Sequence, residues 1–193
     1  MALTFKNQLN QPYYVKAKET KTGKTTYFLT KKLDDACLDK LPVEYEVFEK
    51  YDSRMMFIRK SKPTLFSKED LKVIEKELKK NKAIADFKLD CYDNEIKIYV
   101  AEDDDSSELS AFMRLMGGRI MNFKNYHERM KIKIESAHDN KSYQFMRFCY
   151  RGSVDDWITI GEGKNLQKLA QKILIHLGED SYYELSYYSF SDE

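Results

Sequence analysis

The chain is poor in the residues that cross-link, break or span. Cysteine occurs three times in 193 positions, as Cys37, Cys91 and Cys149, an odd number set far apart. That excludes a disulfide framework and fits reduced thiols. Three prolines and seven glycines are too few for a disordered or low-complexity chain. No apolar run nears the roughly 20 residues of a membrane helix, so no membrane partner is expected. The opening Met1-Ala2-Leu3-Thr4-Phe5-Lys6-Asn7 has no basic stretch leading into an apolar one, so no export signal is expected and the location is read as cytoplasmic. His127, His138 and His176 lack zinc-ligand spacing, and no two cysteines are close enough to begin a zinc site. Phosphate-binding glycine loops and nucleophile elbows are missing too. These absences leave no catalytic residue, metal ligand or cofactor to name, and an enzyme is not expected.

Aromatic residues and an uneven distribution of charge are what the chain does have. Tyrosine occurs 14 times and phenylalanine 11, against a single tryptophan, Trp157. The net charge of +1 conceals a basic first third: residues 1–66 carry 13 Lys and Arg against 8 Asp and Glu. A polyanion would be met there first.

Patterning predicts an α+β fold with mostly antiparallel sheets and about three helices. Residues 13–19 and 25–32 are rich in aromatic and β-branched types around Thr20-Lys21-Thr22-Gly23-Lys24, which predicts a hairpin. A short helix is expected over Asp34–Lys40, ended by Leu41-Pro42, then a strand pair at Tyr45–Glu49 and Met55–Lys60. Ser61-Lys62-Pro63-Thr64 marks the boundary between an N-terminal β-hairpin module, residues 1–62, and an α+β domain, residues 63–193.

Beyond that boundary, Ser67 caps a helix whose apolar stripe is Leu71, Ile74 and Leu78. Alternation marks strands at 86–91 and 95–100, and again through Met130, Ile132 and Ile134. A second helix is expected from Ser106 or Ser107 to Gly117-Gly118, with a strand at 119–123. Tyr143–Tyr150, apolar on both faces, reads as a central strand. The last helix carries Leu166, Leu169, Ala170, Ile173, Leu174 and Leu177 on one stripe and stops at Gly178.

Three stretches together carry a resemblance: Tyr13-Tyr14 with Thr22-Gly23-Lys24 and Tyr27-Phe28; Leu41-Pro42 with Tyr45-Glu46; and Arg151-Gly152-Ser153-Val154-Asp155-Asp156-Trp157 before the last helix. The chain resembles a family of uncharacterised bacterial proteins in which a basic hairpin precedes an LP-x-x-YE turn. Val43-Glu44 stands where that pattern has a glycine before the tyrosine. The resemblance implies a bacterial, cytosolic protein and carries over no functional residue.

Four groups of residues could bear chemistry. In residues 1–33, Lys6, Lys16, Lys18, Lys21, Lys24, Lys31 and Lys32 face one acid, Glu19. With Tyr13, Tyr14, Tyr27 and Phe28 interleaved, lysines could meet phosphates while rings stack on bases. No arginine is present there to read base edges, so weak sequence preference is expected. Lysines also guard exposed strand edges, and the aromatics could serve as core.

The candidate loop Arg151, Asp155, Asp156 and Trp157 is read as a structural corner, with Trp157 buried against the last helix. Glu95-Ile96-Lys97 after Asp86 or Asp90 has the carboxylate-x-lysine order of a metal-dependent nuclease strand, but the spacing is short and the wet face of an ordinary hairpin accounts for it better. Asp103-Asp104-Asp105 with Glu102 and Glu108 reads as a solvated helix start. The expected function is therefore a non-enzymatic binding or interaction protein, with a protein partner or a second copy as its ligand. A nucleic-acid binder acting through the hairpin comes second and a nuclease a distant third.

Overall fold

The computed structural model describes residues 2–102, 124–137, 140–150 and 155–191. The chain divides into two compact units, Met1–Pro63 and Thr64–Glu193. Among the described residues there are eleven strands and three α-helices, and every strand pairing but one is antiparallel, so the chain is an α+β protein that opens with a β-hairpin sheet. The helix expected from Ser106 or Ser107 and the strand expected at 119–123 lie outside the described residues.

In the first unit, β1 (Thr4–Lys6), β2 (Pro12–Glu19) and β3 (Thr25–Thr30) form a sheet in that order. Gly23 makes the β2–β3 turn by taking φ +75°, which a side chain would resist. Its N–H donates to the Thr20 carbonyl at 2.9 Å, and Thr20 Oγ1 donates to the Lys24 carbonyl at 2.8 Å. β4 (Tyr45–Glu49) and β5 (Met56–Lys60) form a separate two-stranded sheet. Tyr27 of β3 packs on Tyr45 of β4, with ring centroids 4.9 Å apart.

The helix expected over Asp34–Lys40 does not form. Asp34 Oδ1 accepts from Ala36 N–H at 3.1 Å and closes a turn, while Leu38 N–H donates to the Val15 carbonyl at 2.8 Å and Cys37 bridges Lys16. Hydrogen bonding to the sheet overrides local helix propensity. Of the apolar residues described in this unit only Val15 is fully buried, so much of its aromatic and aliphatic surface remains accessible.

In the second unit, α1 (Lys68–Lys80) starts with a capping box. Ser67 Oγ accepts from Asp70 N–H at 3.1 Å, and Asp70 Oδ2 accepts from Ser67 N–H at 2.9 Å. β6 (Phe87–Tyr92), β7 (Glu95–Glu102), β8 (Asn125–Ala137), β9 (Asn140–Cys149) and β10 (Asp156–Gly163) follow as an antiparallel meander. β11 (Phe190–Ser191) adds in parallel beside β10, which leaves β8 and β9 in the middle of the six.

The apolar stripes predicted from sequence meet on one face of this sheet. Ile74 and Leu78 of α1, and Leu169, Ala170 and Ile173 of α2 (Leu166–Ile173), pack over Ile96, Ile98, Met130, Ile132, Phe145 and Ile160. All of these side chains are exposed by 1% or less. The last helix does not continue to Leu177 in α form; it tightens into a 3₁₀ turn at Leu174–His176. Asn81, at the end of α1, explains how this end is satisfied. Its Nδ2 donates to the carbonyls of Leu174 at 2.8 Å and Leu177 at 2.7 Å, and its Oδ1 accepts from Ala83 N–H at 2.9 Å.

A short α3 (Ser181–Glu184) is anchored by the buried Arg147. The Arg147 guanidinium donates to the carbonyls of Leu185 at 2.6 Å and Tyr183 at 3.2 Å, meeting the unpaired oxygens at a helix C-terminus.

Candidate binding surface

Strand parity sorts the hairpin residues onto two faces. Tyr14 pairs with Thr30, Lys16 with Phe28 and Lys18 with Thr26, so even-numbered positions of both strands share one face. Thr4 of β1 joins them opposite Tyr14, and Lys6 lies one step further on. Glu19, the sole acid on the three strands, falls on the other face with Val15 and Ala17. Phe28 stands in the middle of the even face and is 43% exposed.

The basic and aromatic residues singled out from sequence therefore separate. Tyr14, Lys16 and Lys18 come together. Tyr27 belongs to the opposite face, packed on Tyr45. Lys31 lies opposite the even set as well, donating to Gln11 Oε1 at 3.0 Å with its ammonium 5.5 Å from the Tyr13 ring centre. Lys21 and Lys24 project from the hairpin turn, and Lys32 is exposed just past β3.

Lys16 is occupied within the fold. Its Nζ lies 2.5 Å from Asp34 Oδ2, and this hydrogen bond, opposed by burial and helped by the Ala36 N–H, holds the Asp34 carboxyl below its ordinary value of 3.8. Asp34 thus remains ionised at neutral pH and neutralises Lys16 locally. The exposed cations on and beside the even face are Lys6, Lys18, Lys21 and Lys24. Reading parity from the Gly23 turn would have placed Phe28, rather than Tyr27, beside Tyr14 and Lys18.

The candidate loop is only partly described. Arg151 lies outside the described residues, and Asp155 and Asp156 are exposed. Trp157 does not pack against the last helix. Ile158 and Ile160 take the helix face, so alternation sends Trp157 to the other side of the sheet. There it meets Phe148 edge-on at 5.5 Å and lies under the Lys131 ammonium at 4.0 Å.

The carboxylates of the nuclease pattern do not gather. Glu95 sits between Lys97 at 3.7 Å and Lys133 at 3.6 Å. Asp86 lies at the far end of the β6–β7 hairpin, bound to Lys124 and Tyr126 at 2.8 Å each, and Asp90 pairs in register with Lys97. Glu102 is taken by Arg129 and by His127 at 3.3 Å, while Asp103, Asp104, Asp105 and Glu108 are outside the described residues. Among the described residues no three His, Cys, Asp or Glu side chains are placed to hold a metal ion.

A cleft of about 770 Å³ opens in the second unit where β10 runs into α2. Lys164, Asn165 and Lys168 line it with Ser142 and Glu162, and Asn165 Oδ1 caps the helix by accepting from Lys168 N–H at 3.0 Å. Its walls carry both signs of charge. The even hairpin face, by contrast, has cations and rings without a strand-borne acid.

Fold and surface together define a two-unit α+β protein with a basic, aromatic sheet face at its N-terminal end. No family model, curated protein or solved structure matches the chain.

Proposed function

We propose that this is a non-enzymatic binding protein whose N-terminal unit engages a polyanion, nucleic acid foremost, through the even face of β2 and β3. The observation that carries the reading is the make-up of that face: Tyr14, Lys18 and the exposed Phe28, with the only acid of the three strands turned away. Lysines supply sequence-independent attraction to phosphate, and an exposed ring supplies a surface for a base. Cys37, Cys91 and Cys149 are free thiols, which suits a reducing bacterial cytosol. Among the described residues no helix is long and apolar enough to cross a membrane.

Charge reversal tests the reading. Lys18→Glu with Lys24→Glu is expected to abolish binding of labelled nucleic acid at low salt, measured by fluorescence anisotropy. Lys72→Glu with Lys76→Glu, exposed on α1, leaves it intact. Equal loss from both pairs would point to nonspecific charge and contradict the assignment.

A protein partner or a second copy of the chain is the other reading. It is favoured by apolar side chains open to solvent in the same unit: Leu33 at 57%, Val43 at 93% and Met55 at 55% exposed. Light scattering across concentration tests self-association, and Val43→Lys with Met55→Lys should disperse any dimer found.

A further inference from the structure

Resting on the polyanion-binding reading, the geometry points to single-stranded nucleic acid as the ligand: we propose that Phe28 is the platform on which a base stacks, with Lys18, Lys21 and Lys24 tracking the phosphates.

Four observations carry this. Phe28 is the most exposed aromatic ring on β1–β3 and stands opposite Lys16 and diagonal to both Tyr14 and Lys18. Diagonal neighbours across two strands are roughly 7–8 Å apart, so Tyr14 can meet the base next to the one on Phe28. The flanking residues of β3 on this face are Thr26 and Thr30, short side chains whose hydroxyls bond back to the Lys18 carbonyl and the Lys32 N–H and so leave the ring open. Beyond Lys18 the hairpin ends in Lys21 and Lys24, which extends the positive line past the ring along one direction.

A duplex fits this surface poorly. Its base faces are stacked inside the helix, leaving Phe28 nothing to stack on. No arginine occurs on β1, β2 or β3 to fork onto base edges in a groove. A strand with unstacked bases supplies what the face lacks: planar apolar rings and a flexible line of phosphates. Because the contacts are to base faces and phosphates, binding is tolerant of sequence.

Asp34 sets the strength of this surface. It holds Lys16 at 2.5 Å, beside Phe28, so one cation of the face is withheld from phosphate. Asp34→Asn frees it.

The test titrates the full chain, by anisotropy, against labelled oligothymidylate, the corresponding duplex and base-free polyphosphate. Oligothymidylate is expected to bind tightest. Phe28→Ala should weaken it roughly 10-fold or more while leaving polyphosphate unchanged, and Phe28→Trp should restore it. Asp34→Asn should tighten both single strand and polyphosphate and steepen the salt slope by about 0.7. A circular dichroism melt of Phe28→Ala, showing the variant folded at the binding temperature, separates lost binding from lost folding.

If polyphosphate binds as well as oligothymidylate and Phe28→Ala changes neither, base stacking is overturned while polyanion binding stands. Preference for the duplex overturns it likewise. Failure to bind any of the three at low salt overturns both readings.

Discussion

Replacing Asn81 with alanine removes a buried side chain that hydrogen-bonds the end of α1 to the turn that follows α2. Three short hydrogen bonds disappear: two from Nδ2 to the carbonyls of Leu174 and Leu177, at 2.8 and 2.7 Å, and one to Oδ1 from Ala83 N–H at 2.9 Å. Asn81 is 9% exposed, so water reaches the stranded carbonyls poorly. At roughly 0.5–1.5 kcal/mol net for each bond, the loss is about 2–4 kcal/mol. With a urea dependence of about 2 kcal/mol per molar, the unfolding midpoint should fall by about 1–2 M at unchanged slope. The assay is clean because Trp157, the only tryptophan, belongs to the second unit, so its emission follows that unit. Asn81→Asp should be worse than alanine, since it sets an acceptor against two carbonyls. A midpoint shift below about 0.3 M, or an aspartate better tolerated than alanine, would refute the reasoning.

Four further outcomes follow from the same unit. A Cβ at Gly161 would lie 2.4 Å from Ile173 Cδ1 and 3.1 Å from the Phe190 carbonyl, so Gly161→Ala should destabilise by about 1–3 kcal/mol in urea melts; adding Ile173→Val, which removes Cδ1, should recover part of it. Ile160→Ala, at a fully buried position, should lose about 2–5 kcal/mol. Trp157→Ala, which gives up an edge contact and a cation–π contact on the other face, should lose only about 1–2 kcal/mol, both followed by circular dichroism. Burial alone would raise the Asp70 carboxyl, but hydrogen bonds from Lys141 Nζ at 2.5 Å, Ser67 N–H at 2.9 Å and Tyr143 OH at 3.0 Å bring it below 3.8. A carboxyl depressed by folding lends stability that is present above its unfolded value and lost as pH falls through the folded one. Asp70→Asn should therefore flatten the loss of stability below roughly pH 4 in acid titrations.

Local signals in the sequence carried most of the secondary structure. Ser67 with Asp70, the alternation through Met130, Ile132 and Ile134, and the stripe from Leu166 to Ile173 each encode an element by short-range chemistry, and each formed. What local pattern could not supply was the partner. Asp34–Lys40 has helical composition, yet Leu38 N–H is drawn to Val15 more than twenty positions away in the chain. Trp157 is apolar enough for the helix face, but Ile158 and Ile160 already hold it, and a strand can turn only alternate residues inward. The hairpin face was partly legible. Lysines and rings stood out by composition, but only the pairing of Lys16 with Phe28 separates the residues that share a face from Tyr27 and Lys31. The capture of Lys16 by Asp34 was not legible, because it depends on a turn that replaces an expected helix.

The central claim is that the even face of the N-terminal hairpin meets phosphates. The most direct measurement is the salt dependence of single-stranded oligonucleotide binding by the intact chain and by the Lys18→Ala, Lys21→Ala, Lys24→Ala triple variant. Three phosphate contacts correspond to a slope in log K against log salt of about −2, and the triple variant should lose that much of the observed slope. Binding that is flat with salt, or a triple variant with the parent's slope, would contradict the account.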